Sequence, residues 1–203
     1  MNDSPMTTDK GTTPEFQLRG NRFAPLTWPE MTPAQQQMTQ SVLGGKRGSM
    51  QGPYNVLLRS PALGQLAQQF GVHTRFDSSL PLMLNELAIL MIARFWTSQF
   101  VWWAHRKMAI DAGLDESLIN AIAQGQAPGA LSGPVAAVHA FCQELIQTRR
   151  VSDENFAALS SQVGEQGVVD LMAAMSYYTL VSMCLNVDQY PLPEGVLPEL
   201  QPL

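Results

Sequence analysis

The stretch NELAILMIARFWTSQFVWWAHRKMAIDAGL, residues 85–114, places two ionisable side chains in strongly apolar surroundings. Glu86 lies inside an apolar run of helical length, and His105 follows the tryptophan pair Trp102 and Trp103. Burying a carboxylate is costly unless it is paired or hydrogen-bonded. Histidine is the side chain whose ordinary pKa lies nearest to neutrality. The stretch therefore predicts two buried helices that carry a candidate acid–base pair.

Helix caps and apolar periodicity divide the rest of the chain into further helices. Thr32, Pro33 and Gln35 form a capping box with a proline in the first turn, and Gly44 ends that helix. Asp115 and Ser152 are further N-cap candidates. No stretch alternates with a period of two between turn signals. The sequence predicts an all-α fold of about seven to eight helices, with further helices near 61–75, 80–96, 97–111, 134–150 and 167–185.

Three regions follow from composition along the chain. Residues 1–22 are polar and lack the apolar core of a signal sequence, which predicts a mobile N-terminal tail. Residues 23–190 have the length of a single domain. Residues 191–203 are rich in proline, which excludes a helix and predicts an extended tail. The apolar residues of that tail favour packing, either on the same chain or on a neighbouring subunit.

Charge and cysteine content exclude several classes of protein. A net charge of −5 without a basic cluster argues against a nucleic-acid partner. Asn85, Glu86 and Arg94 within the run 80–96 favour a buried core helix over a membrane span. Cys142 and Cys184 lack C-x-x-C spacing, which indicates core residues of a reduced, cytoplasmic protein.

The balance of apolar and charged residues bears on self-association. Charged residues make up 14% of the chain and apolar residues 45%. Soluble proteins average about 25% charged residues. The sequence therefore predicts a homo-oligomer, in which part of the surface is buried between subunits.

The spacing from Glu86 to His105 resembles the signature E-x11-C-x2-C-x3-H of the carboxymuconolactone decarboxylase and alkylhydroperoxidase AhpD-like family. Ser98 and Val101 stand at the two cysteine positions, and the string VWWAH at 101–105 lacks the acid found in the cysteine-free branch. The segments 52–63, 112–114 and 177–195 are also similar to that family. The resemblance implies an AhpD-like helical bundle that assembles into trimers or hexamers.

The resemblance also implies a function. His105 would be the general acid/base and Glu86 its positioning partner, in a cofactor-free lyase, decarboxylase or isomerase acting on a small carboxylated lactone or aromatic-derived acid. A non-catalytic ligand-binding or assembly protein of the same fold is the alternative. Thiol peroxidase chemistry is disfavoured, because neither Ser98 nor Val101 can supply a thiolate.

Further residues are candidates for substrate binding, each with a structural alternative. Ser98 and Trp102 share a helical stripe with His105, although tryptophans at this spacing are more often core residues. Arg94 could bind a carboxylate, or make a structural bond to Glu86 or to a backbone carbonyl. Asn55 and Tyr178 complete the set. No histidine or acid shows metal-ligand spacing, and no phosphate-binding glycine motif occurs, so neither a metal nor another cofactor is predicted.

Overall fold

The computed structural model describes residues 14–202, and within them it contains eight α-helices and no strand. The all-α prediction is confirmed for this part of the chain. The helices are α1 (Pro33–Leu43), α2 (Tyr54–Leu57), α3 (Pro61–Val72), α4 (Leu82–Phe95), α5 (Gln99–Asp111), α6 (Glu116–Gln124), α7 (Gly133–Thr148) and α8 (Asp153–Asp188). A short 3-10 helix spans Trp28–Glu30, and a π-helical turn at His73–Asp77 extends α3.

Helix α4 is the central element of the fold. Every residue from Leu84 to Arg94 is buried, because α5, α6, α7 and α8 all pack against this helix. A helix that is apolar on all sides needs such complete cover. The core around α4 is formed by residues such as Leu87, Ile89 and Leu90, which are fully buried.

Helices α4 and α5 fold back on each other through a tight bend. Thr97 adopts φ +47°, an uncommon conformation for a residue with a side chain. Ser98 is the extended residue before α5. This bend allows α4 and α5 to pack side by side, so residues from the two helices meet across their interface.

Helix α8 has 36 residues and contains one break. Gly164 has φ 69° and ψ 174°, which are not helical values, so the break lies between the two helices predicted after Ser152 and near residue 167. By length and composition α8 could cross a membrane, but 61% of its most apolar window is buried inside the fold. Core helices of soluble proteins meet the same criteria.

The described parts of both terminal segments contact the helical domain. Residues 1–13 of the predicted N-terminal tail lie outside the described residues. In residues 14–22, Leu18 is buried and the backbone N–H groups of Asn21 and Arg22 donate to Asp188 Oδ1. Residues 191–202 form no helix or strand and pack on their own chain, with Leu200 buried and hydrogen-bonded to Gln99.

Candidate functional site

Glu86 of α4 and His105 of α5 meet in the interior of the protein. His105 Nδ1 lies 2.7 Å from Glu86 Oε2, and the two residues are 5% and 0% exposed. A carboxylate accepts hydrogen bonds, so Nδ1 carries the proton when the imidazole is neutral. The other ring nitrogen, Nε2, is then an acceptor, and the one side-chain hydrogen bond of His105 to a described residue is that of Nδ1.

Tyr178 of α8 holds the histidine ring from the side. The two rings pack edge to face, with centroids 4.8 Å apart. Burial raises the pKa of Tyr178, so its hydroxyl remains protonated and can donate. Within residues 14–202 that hydroxyl is buried without a hydrogen-bond partner. It is therefore an unused donor beside the imidazole.

A cavity of about 250 Å³ lies against this group of residues. His105 and Tyr178 form part of its wall, and Val101 lines it one helical turn before His105. Its volume corresponds to roughly eight water molecules at about 30 Å³ each, which is enough for a small ring with one or two substituents. The remaining wall is formed by Ser49, Gln51, Gly52, Pro53, Phe100, Trp103, Ala104, Val181, Leu185 and two arginines.

These arginines, Arg47 and Arg75, make the cavity cationic. Arg47 comes from the loop after α1, and its Nη1 donates to the hydroxyl of Tyr177 at 3.0 Å. Arg75 comes from the π-helical turn, and its Nε is buried without a partner among the described residues. Neither guanidinium forms an ion pair with another described residue, and no acid lines the cavity. The arrangement suits an anionic ligand.

Of the five predicted substrate contacts, the structure brings only Tyr178 to this cavity. Ser98 is fully buried at the start of α5, and its hydroxyl has no partner in the described part of the chain. Trp102 is a core residue whose Nε1 donates to Glu199 in the C-terminal tail at 2.8 Å. Sharing a helical stripe with His105 therefore did not predict which residues line the cavity. The same side of α5 contacts the packed core at Ser98 and Trp102 and the cavity at His105.

Arg94 and Asn55 also lie away from the dyad. Arg94 Nη1 donates to the carbonyl oxygen of Gln201 at 2.8 Å, so its backbone-carbonyl alternative is the one observed. Asn55 Nδ2 donates to the carbonyl of Phe23 and to Asp188 Oδ2, at 2.7 and 3.2 Å. Both side chains bind parts of the chain that are distant in sequence, and no local pattern predicts such partners.

Arg47 and Arg75 were not among the predicted site residues. Arg47 stands in the glycine-containing segment GGKRGS, and Arg75 follows an apolar helix. Each looks like a surface cation in sequence, and each is only partly exposed in the fold. The one feature of the sequence that could have drawn attention to them is the small number of cations. The chain has only 12 Lys and Arg residues among 203, so each arginine is a stronger candidate for a specific role.

The cysteines are not part of this site. Cys142 is fully buried and contacts Met175, and burial raises the pKa of its thiol to about 12. Burial also raises the pKa of Cys184. Neither thiol is activated as a thiolate nucleophile would be. Within residues 14–202, no group of three His, Cys, Asp or Glu side chains is placed to hold a metal ion.

Comparisons with known proteins do not assign the chain to a class. No protein-family model matches the sequence, and no curated protein matches it. The family resemblance therefore depends on the residues quoted above, and the chemistry depends on the dyad and its cavity.

Proposed function

We propose that the cavity beside His105 is the active site of a cofactor-free lyase or isomerase of the carboxymuconolactone decarboxylase type, acting on a small carboxylated lactone or aromatic-derived acid. The observation that carries this proposal is the buried Glu86–His105 pair, whose histidine lines a cavity together with two arginines that form no ion pair with a described residue. A polar pair with one free nitrogen beside a cationic pocket is suited to proton transfer on an anionic substrate.

His105 is the group that moves the proton. With Nδ1–H donated to Glu86, Nε2 is the basic nitrogen. It can take a proton from a carbon next to a carbonyl group, and the negative charge of Glu86 stabilises the imidazolium that forms. Returning this proton to a different carbon isomerises the substrate. Glu86 is a positioning residue in this scheme, because it acts through His105.

Decarboxylation uses the same residues in a different order. The bond between the substrate and its carboxylate breaks, CO2 leaves, and the electron pair is delocalised into the lactone carbonyl. His105, protonated at Nε2, then supplies the proton to carbon. Val101 and Phe100 line the cavity with apolar surface, which favours loss of charge from a carboxylate. Arg47 and Arg75 bind a remaining carboxylate or the developing enolate.

The non-catalytic alternative uses the same cavity as a binding site for a small acid. It differs in leaving His105 as a hydrogen-bonding contact. Peroxidase activity has no support, since Val101 and Ser98 occupy the redox positions and both cysteines are buried.

We also propose that the protein self-associates, as a trimer or hexamer. Several large apolar side chains are exposed on α3 and α8, and repeated helical spacing places many of them in stripes. Sedimentation velocity of Leu66→Glu, compared with Gln65→Glu, tests this directly. The first variant is expected to dissociate and the second is not. The exposed residues concerned are Leu63, Leu66, Phe70, Val169, Met172, Met183 and Val187.

The decisive experiment on the site compares His105→Asn with wild type. The asparagine amide can reach the position of Nδ1 and keep a bond to Glu86, while Nε2 is lost. His73→Asn is the matched control, because His73 is exposed and does not line the cavity. Substrates are five-membered lactones with a ring carboxylate, aromatic acids and their methyl esters. Release of CO2 reports decarboxylation, and deuterium uptake from D2O reports isomerisation.

Wild type and His73→Asn are expected to turn over one of these acids, and His105→Asn to lose about 10²–10⁴-fold in rate. The methyl esters are expected to react poorly, since they cannot pair with Arg47 or Arg75. Equal turnover by His105→Asn would contradict the proposal. Binding without turnover, seen as a thermal shift that Arg47→Gln abolishes, would instead establish the binding protein.

A further inference from the structure

A second and larger cavity lies among α4, α6 and α7. Its volume is about 610 Å³, within the range of about 300–1,000 Å³ that is typical of small-molecule sites. It shares no lining residue with the cavity at His105. Its apolar wall is formed by Met91, Phe95, Ile122, Ala127, Pro128 and Ile146.

The polar part of this cavity is cationic. Arg94 and Arg149 line it together with His139, and no acidic residue does. Burial lowers the pKa of His139, so its ring is neutral near pH 7 and can both donate and accept. Three glutamines, Gln126, Gln143 and Gln147, add neutral hydrogen-bonding groups.

Arg94 is the observation that points to a ligand. This residue is 7% exposed, and its Nε is buried without a hydrogen-bond partner among the described residues. Nη1 bonds only to neutral oxygens, those of Gln201 and Thr97. Burial lowers the pKa of Arg94, which reflects the cost of burying its charge. Arg94 lines the cavity and forms no ion pair with a described residue, so a ligand carboxylate there can supply the counter-charge.

We propose that this cavity binds an amphipathic monocarboxylic acid, with its carboxylate at Arg94 and Arg149 and its apolar chain or ring against the wall of Met91, Phe95 and Ile122. The site is separate from the proposed active site, so it stands whether or not His105 is catalytic. An apolar wall of this kind accommodates hydrocarbon, while the two cations determine which end of the ligand enters the polar part.

Isothermal titration calorimetry with octanoate and octan-1-ol, both below their aggregation concentrations, tests the proposal. The two probes have the same hydrocarbon chain, and only octanoate has the carboxylate. Arg149→Asn removes one cation at a residue with φ +64°, a conformation that asparagine tolerates. Arg150→Asn is the control, because Arg150 is adjacent and exposed but does not line the cavity. Ala127→Trp fills the cavity from an exposed loop.

Wild type and Arg150→Asn are expected to bind octanoate at least about tenfold more tightly than octan-1-ol, the effect of one charge-assisted hydrogen bond. Arg149→Asn should weaken octanoate by about tenfold and leave octan-1-ol unchanged. Ala127→Trp should abolish binding of both probes. Equal affinity for the two probes, or no binding of either, would overturn the proposal. So would octanoate binding that survives Ala127→Trp but is lost in Arg47→Gln, because the acid would then occupy the cavity at His105.

Discussion

Two acidic residues of this protein, Glu86 and Asp188, are equally inaccessible, and their surroundings are opposite. Both are 0% exposed. Asp188, at the end of α8, accepts hydrogen bonds at both carboxylate oxygens. Glu86, in α4, uses one oxygen for His105, and its Oε1 has no partner among residues 14–202. Burial is the same, and hydrogen-bond satisfaction is what distinguishes them.

Asp188 joins three distant parts of the chain. Its Oδ1 accepts from the backbone N–H groups of Asn21, Arg22 and Phe23 at 3.2, 3.0 and 2.9 Å. Its Oδ2 accepts from Asn55 Nδ2 at 3.2 Å. A carboxylate with donors at both oxygens is a structural element, which attaches the N-terminal segment to the end of α8.

Glu86 has the opposite character, because its bonding is incomplete and its one partner lines a cavity. A buried carboxylate oxygen without a hydrogen-bond donor destabilises the fold, so it lowers the free energy of unfolding. Proteins retain such costs where a site requires them. Burial alone therefore does not separate a structural acid from a candidate site residue, and the hydrogen-bond partners and the neighbouring cavity provide the distinction.

Asp188→Asn is expected to have the largest effect on stability. The NH2 group of asparagine must replace one of the two carboxylate oxygens. In one orientation it faces the backbone N–H groups of residues 21–23, and in the other it faces Asn55 Nδ2, so a donor meets donors in both. We expect a loss of about 3 kcal/mol in the free energy of unfolding. Urea unfolding measures it. Glu165→Gln, an exposed change on the same helix, should stay within about 0.5 kcal/mol. A loss as small as that control would mean that Asp188 does not hold the segment.

Glu86→Gln is expected to lower activity and to spare the fold. The glutamine carbonyl oxygen can replace Oε2 and accept from His105. The NH2 group then replaces Oε1, which has no hydrogen-bond donor among the described residues, so no hydrogen bond is lost. Turnover should fall about 10²-fold, because the imidazolium loses its counter-charge. The free energy of unfolding should change by less than about 1 kcal/mol. A destabilisation equal to that of Asp188→Asn would show that Glu86, like Asp188, mainly stabilises the fold.

Asp170 extends the comparison to a third acid and predicts a smaller effect that depends on pH. Burial is the strongest influence on this carboxyl and would raise its pKa, but hydrogen bonds from Ser79 and His73 outweigh it and the pKa is lowered. The ionised group therefore stabilises the fold above its unfolded pKa of about 3.9. This contribution is lost as the pH falls through the folded value.

Wild type should therefore lose more stability than Asp170→Asn between about pH 5 and about pH 3, as measured by urea unfolding across that interval. The difference between the two proteins is the informative quantity, because other acids titrate in both. Parallel pH profiles would show that the charge of Asp170 contributes little to stability.

Several local features were predictable from the sequence because their partners are near in the chain. The capping box at Thr32 and Gln35 forms as predicted, with Gln35 Oε1 accepting from the backbone of Thr32 at 2.8 Å. Asp115 caps α6 by accepting from Ser117 N at 2.7 Å. The approach of Glu86 to His105 was expected from the family resemblance, and it is possible because a single bend joins the consecutive helices α4 and α5. The short helix α2 was not predicted, and the π-helical turn at His73–Asp77 lies at the end of the helix that was predicted near 61–75.

What the sequence determined by itself is the helical class and most helix ends, which depend on caps and apolar periodicity. The meeting of Glu86 with His105 was expected only from the family resemblance. Only the tertiary structure decided which polar side chains face a cavity and which bind backbone. Asn55 went to Asp188 and Arg94 to the C-terminal tail, while Arg47 and Arg75 reached the cavity from separate elements. The physical reason is that a hydrogen bond requires its partner within about 3 Å, and for these residues the partners come from parts of the chain brought together only by folding.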